Sequence, residues 1–397
     1  MGKLFENKMA HVILIGVLAT LVFLVILLQF AFAGSGVRRA TQATLSASNS
    51  GESLLIRSFD GGETWKPIFP PAGEEDFPGG ADILDFEFHP ARTAELFIAT
   101  NSAGLWMSPD LGIHWRQIEG GSALLGPESQ VYAVALSKSE PVVLFVSVAS
   151  PDGNVILQSR DYGKSFREVY SVPSRSGVAR AIAIDPKYSD HIFLGMSDGA
   201  LLESEDGGAT WIVRTRFDDS LTSILQNPSR PASLLIVMDS GIIQTTNDFG
   251  KTWEKVFMGE GGESAGSFFI PQPDGEPVRP PNFFENPFRS RKDTYDFAQD
   301  PADFSEFVAI TRRGIIRSSD GGTSWRGVET ILDAGDTTKG TVALLPGMPE
   351  SILFALGADF YRSDDGGLRW KKSALPEAVS RLVTHPAQSD VIFGILK

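Results

Sequence analysis

Apolar residues in this chain fall mostly in short runs, and each run ends at a turn signal. An X-Pro pair closes one such run at "FEFHP" (Pro90), "AIAIDP" (Pro186), "SILQNP" (Pro228), "FAQDP" (Pro301) and "RLVTHP" (Pro386). A second run such as "IFLGM" (192–196) and a third such as "ALLES" (200–204) follow, and then an octet of the form Ser/Thr-x-Asp-x-Gly-x-x-Trp/Phe. The octet occurs seven times, from "SFDGGETW" (58–65) to "SDDGGLRW" (363–370), with Asp60, Asp110, Asp161, Asp206, Asp248, Asp320 and Asp365 at its third position. The Asp follows Pro90, Pro186 and Pro228 by 20 residues and Pro301 by 19, so the two landmarks keep register. Each unit reads as strand, X-Pro turn, strand, short turn, strand, Asp turn, strand. That is a four-stranded antiparallel meander, the blade of a β-propeller.

The two ends of the repeat complement each other. The first octet is preceded by one strand, "SLLIR", and the chain finishes with "SRLVTHP" and "DVIFGIL" and no octet after them. Joining the fragments predicts an all-β, seven-bladed propeller over residues 52–397, closed by two N-terminal and two C-terminal strands, so that no sheet edge stays open.

One apolar run does not fit this pattern. Val12 to Ala33 is 22 residues without a charge, about 33 Å as a helix, which predicts a transmembrane helix. Lys3 and Lys8 precede it, which leaves residues 1–11 in the cytoplasm and the propeller outside it, although Arg38 and Arg39 follow closely. Residues 34–51 are small and polar and read as a flexible tether. The alternative is a secreted chain cleaved near Ala33, because Ala31-Phe32-Ala33 resembles a signal-peptide cleavage site. The formal charge of -14 argues against a nucleic-acid partner, and the absence of cysteine excludes disulfides, thiolate metal sites and a cysteine nucleophile.

Within the octet, Asp can accept backbone N–H bonds from the turn, and Gly can take positive φ without steric cost. The closing ring, Trp65, Trp115, Phe166, Trp211, Trp253, Trp325 or Trp370, packs on the sheet. A calcium loop needs several oxygen ligands at alternating positions, and most octets offer a single carboxylate, so a turn-forming role is expected rather than catalysis or metal binding. No cofactor is expected.

The octet resembles the Asp-box, or BNR repeat, of sialidases, sortilin-type receptors, certain glycoside hydrolases and photosystem II assembly factors. The resemblance covers residues 52–397. It implies a structural turn on blade rims, away from the site of action. A single seven-bladed domain with a split blade looks most like the photosystem II assembly-factor group, which binds protein partners and has no catalytic centre. The Arg-Ile-Pro stretch of sialidases is absent. Xyloglucanase-type relatives place their carboxylates between two propellers, whereas this chain predicts one.

Asp82, Asp85 and Glu87, or Asp300 and Asp303, remain as acid/base candidates, though solvated turn and strand-end charges are the better account of them. None of the five histidines lies at metal-ligand spacing in the sequence. The long insertion, about 257–297, connects two blades on the face opposite the octets. It carries Phe268, Phe269, Phe283, Phe284, Phe288, Arg289, Arg291 and Lys292, and aromatic and Arg side chains favour binding hot spots. The last six of these are the candidate partner-binding residues; capping of the propeller by the phenylalanines is the other reading. The acidic loop 70–80 shares that face. The expectation is a membrane-anchored extracytoplasmic binding or scaffold propeller for a protein or envelope component, with a cell-surface glycoside hydrolase or carbohydrate-binding propeller as the alternative.

Overall fold

The computed structural model describes residues 54–71, 80–173, 177–256, 294–311, 314–328 and 340–397. The apolar segment 12–33, the tether and most of the insertion lie outside them. No helix among the described residues is long and apolar enough to cross a membrane.

Seven four-stranded antiparallel sheets make up the fold. Blades 1 to 6 are consecutive meanders: 83–118, 131–173, 179–216, 221–255, 294–327 and 341–374. Blade 7 is composite, with Leu55–Ser58 and Lys66–Phe69 from one end of the chain and Val379–Thr384 and Ile392–Leu396 from the other. Its central pairing is antiparallel, Leu55 opposite Ile395 and Ser58 opposite Ile392.

Second strands explain why the apolar runs are continuous rather than alternating. Every residue of Leu96–Thr100, Ile192–Met196, Phe307–Thr311 and Ile392–Leu396 is buried, because each sheet packs a neighbouring blade on both faces. Phe97, Phe145, Phe193 and Phe393 hold the second position of their strands and are fully buried, each contributing about 1.5–3 kcal/mol. Fourth strands such as Glu254–Lys255 and Lys371–Ala374 are mostly polar and exposed, as befits an outer edge.

Among the described residues, seven apolar clusters each join two neighbouring blades. They run in order from blades 1 and 2, through Leu105, Ile118, Val134 and Leu157, round to blades 6 and 7, through Leu353, Phe360, Ile56 and Leu382. The cluster of blades 7 and 1 packs Phe393 against Phe86 at 5.3 Å between ring centroids. First strands of successive blades also touch one another, which makes them the inner strands. Strand alternation puts the X-Pro and octet turns on one face, called the box face below, and the other turns on the opposite face.

Candidate functional site

All seven octets fold alike. In the first, Ser58 Oγ donates to Asp60 Oδ1 (2.7 Å) and accepts from Gly62 N (2.9 Å). Asp60 Oδ1 accepts from Glu63 N and Thr64 N at 3.0 and 2.8 Å, and Oδ2 accepts from Thr64 Oγ1 at 2.6 Å. Trp65 Nε1 closes the turn on Gly62 O at 3.1 Å. The Oδ2 contact recurs on His114, Ser165, Thr210, Thr252 and Ser324, while Asp365 Oδ1 takes Arg369 N. The Trp contact recurs for Trp115, Trp211, Trp253, Trp325 and Trp370. Phe166, which has no ring N–H, packs against the cluster of blades 1 and 2. The Thr64 hydroxyl, then its backbone N–H and Ser58, hold the Asp60 carboxyl down at about 2. Asp161 and Asp206 are lowered to about 2 through Ser165 and Thr210.

Two consecutive residues of each octet take positive φ, not the Gly alone. Leu111, Tyr162 and Phe249 occupy the first of these positions at φ near 60°. Each packs its side chain into an inter-blade cluster, so buried contact offsets a conformation that bulky residues seldom adopt.

The inner strands carry the other carboxylate group. Asp85, Asp296 and Arg381 occupy one structural position on three of them, just after a register irregularity in the pairing with the second strand. Asp85 Oδ2 accepts from Val134 N of blade 2 at 2.9 Å, and Oδ1 accepts from Phe86 N at 2.9 Å. Asp296 Oδ2 accepts from Val342 N (2.8 Å) and Thr341 Oγ1 (2.6 Å) of blade 6. Thr341 Oγ1 in turn accepts from Leu382 N of blade 7 at 3.1 Å. These side chains pin one blade to the next.

Glu87 lies two residues beyond Asp85 on the same strand face. Burial among protein, reinforced by the Asp85 charge, pushes its carboxyl up to about 8, against the pull of Lys138 and Arg381. Burial also raises Asp85 and Asp296, opposed by their hydrogen bonds and Arg381. Arg381 is thus the cation common to all three acids.

The remaining acid/base candidates are dispersed. Asp82 pairs with Asn101, at 3.0 Å to Nδ2. Asp300, fully buried, accepts from Ala302 N (2.8 Å) and Gly347 N (3.0 Å), and Asp303 accepts from Ser305 N at 2.8 Å. The insertion residues Phe283, Phe284, Phe288, Arg289, Arg291 and Lys292 lie outside the described residues, as does most of the loop 70–80. Asp296 and Arg381 were not among the sequence candidates. Their signal is positional: like Asp85, each stands five residues before its X-Pro proline, at Pro301 and Pro386. Among the described residues, one His/Glu group, His191, Glu203 and Glu205, has the spacing to hold a metal ion.

A BNR/Asp-box repeat model matches residues 56–67. The chain is a seven-bladed Asp-box β-propeller. Over 200 residues, 45% of its length, it is 26% identical to the oligoxyloglucan-reducing end-specific xyloglucanase of Emericella nidulans. That match spans only 24% of the xyloglucanase. Among solved structures, the GH74 enzyme of Niastella koreensis superimposes with a TM-score of 0.56 at 14% identity, over 79% of this chain and 51% of that one. YCF48 bound to D1 peptide superimposes with a TM-score of 0.53 at 16% identity, over 81% of this chain and 94% of that one. At such identities the structural likeness is one of fold.

Proposed function

We propose that this propeller is a membrane-anchored, extracytoplasmic binding protein that scaffolds assembly of a membrane or envelope complex through a protein partner. The observation that carries the reading is where the carboxylate oxygens go. Asp60 and its six counterparts, Asp85, Asp296, Asp300 and Asp303 all spend oxygens on hydrogen bonds within turns or between blades. Such groups serve the fold, which supports a role in surface recognition. YCF48, matched over 94% of its length, carries a bound D1 peptide, whereas the GH74 enzyme is matched over 51%. The composite blade 7 supports a ring closed by the two chain ends. The uncharged run 12–33 behind Lys3 and Lys8 supports the anchor. Partner contact is assigned to the face opposite the octets, through Phe283, Phe284, Phe288, Arg289, Arg291 and Lys292.

A glycoside hydrolase is the second reading. It rests on the xyloglucanase identity and on Asp85 and Glu87, two residues apart on one strand face and so about 7 Å apart, within the range of acid/base pairs.

Deleting 262–293 from the full chain and repeating a crosslinking pull-down from native membranes separates the two. Loss of partners with the circular dichroism spectrum and Tm retained is the expected result. Partners captured unchanged would remove the recognition role of the insertion. Release of reducing sugar from xyloglucan oligosaccharides, abolished by Glu87→Gln, would establish the hydrolase instead.

A further inference from the structure

We propose that His191, Glu203 and Glu205 form a binding site for a divalent transition-metal cation of the Zn²⁺ kind on the box face of blade 3. Strand pairing builds it. Ile192 lies opposite Ser204 and Phe193 opposite Glu203, so His191, one residue before the second strand, is set beside Glu203 and Glu205 although 12 and 14 residues separate them in sequence. The three ligand atoms lie within 4.8 Å of one another.

What surrounds the three residues is the arrangement that orients metal ligands. Asp185, 1% exposed, is fixed by Lys187 N (2.8 Å) and Tyr188 N (3.2 Å). Its Oδ2 stands 3.4 Å from His191 Nδ1. A carboxylate on Nδ1–H leaves Nε2 as the donor atom, the usual support for a metal-bound imidazole. Nε2 is 2.8 Å from Glu203 Oε1, and Arg214 holds the opposite oxygen, Oε2, so Oε1 is aimed at the same point. The rings of Phe193 and Phe249 flank the imidazole at 4.9 and 5.2 Å and restrict its rotation. Glu205 is exposed and gives the site its entry from solvent.

Charge favours a dication. Asp185, Glu203 and Glu205 against Arg214 leave two negative charges beside the imidazole ring, and a divalent cation cancels both. One nitrogen and two carboxylate oxygens form a donor set that suits Zn²⁺.

The test is isothermal titration of ZnCl₂ into the full-length, tag-free chain at neutral pH, alongside Glu205→Gln, His191→Gln and, as a control, Glu63→Gln in the first octet. Wild type and the control should take up one Zn²⁺ per chain. Glu205→Gln should weaken uptake about tenfold or more, with an unchanged Tm in the absence of metal because the residue is exposed, and His191→Gln should abolish it. With Co²⁺ as probe, the visible absorption should appear in wild type and fade in Glu205→Gln. No uptake by wild type would overturn the proposal. So would uptake by Glu205→Gln and His191→Gln equal to that of wild type.

Discussion

Asp60 in the octet turn of blade 7 and Glu87 on the inner strand of blade 1 are both carboxyl groups of one propeller, yet one is held down at about 2 and the other pushed up to about 8. Around Asp60, hydroxyl and backbone donors converge on an exposed group, and water adds to their stabilisation of the charge. Around Glu87, which is partly buried, protein displaces part of the water without supplying a donor, and the Asp85 charge repels a second one. Hydrogen bonding and desolvation therefore act with opposite sign on the same chemistry, and position in the blade decides which prevails. Asp85 and Asp296 are raised as well, since burial outweighs the inter-blade hydrogen bonds and the Arg381 charge that pull them back.

The largest effect should come from removing an inter-blade pin. Asp296→Ala leaves the buried Val342 N–H and Thr341 hydroxyl without their acceptor, at a cost of about 2–3 kcal/mol in urea unfolding, and Asp296→Asn should recover part of it. A loss no greater than that of an exposed Asp substitution would mean that the inner strands are joined by packing alone.

A smaller effect, separable by pH, should come from Glu87→Gln. Glu87 titrates at about 8 in the fold and near 4.5 when unfolded. The native state keeps a proton that the unfolded chain has released between those values, so stability falls as pH rises through that window. Glu87→Gln should remove this slope and gain on the order of 2 kcal/mol at pH 8.5, read as Tm against pH. The octets have the reverse sign. Their contribution is present above about 3.8, the unfolded Asp value, and is lost as pH falls towards 2. A Glu87→Gln profile parallel to that of wild type from pH 5 to 8 would remove the contrast.

The smallest effect should follow Asp60→Asn. The turn keeps an acceptor and loses the charge, so Tm should drop by about 1–2 °C at pH 7 and by less below pH 2. A drop as large as that of Asp296→Ala would place the octets among the principal supports of the ring.

The blade count, the strand order and the composite seventh blade were legible in the sequence because they rest on periodicity: apolar runs, X-Pro turns and octets recur at fixed separations. Less legible was the second positive-φ position, since Leu111, Tyr162 and Phe249 carry no mark of it. The roles of Asp85 and Asp296 were hidden because their acceptors' partners, Val134 and Val342, lie 49 and 46 residues away on another blade.

Local chemistry by itself therefore determined the seven octets, since Asp, Gly and Ser or Thr within eight residues satisfy one another without the rest of the chain. Only the tertiary structure decided which carboxylates lose water, which cation they share and which histidine meets two glutamates. Burial, and proximity between strands far apart in sequence, are properties of the packing of neighbouring blades, and no single unit of the repeat contains them.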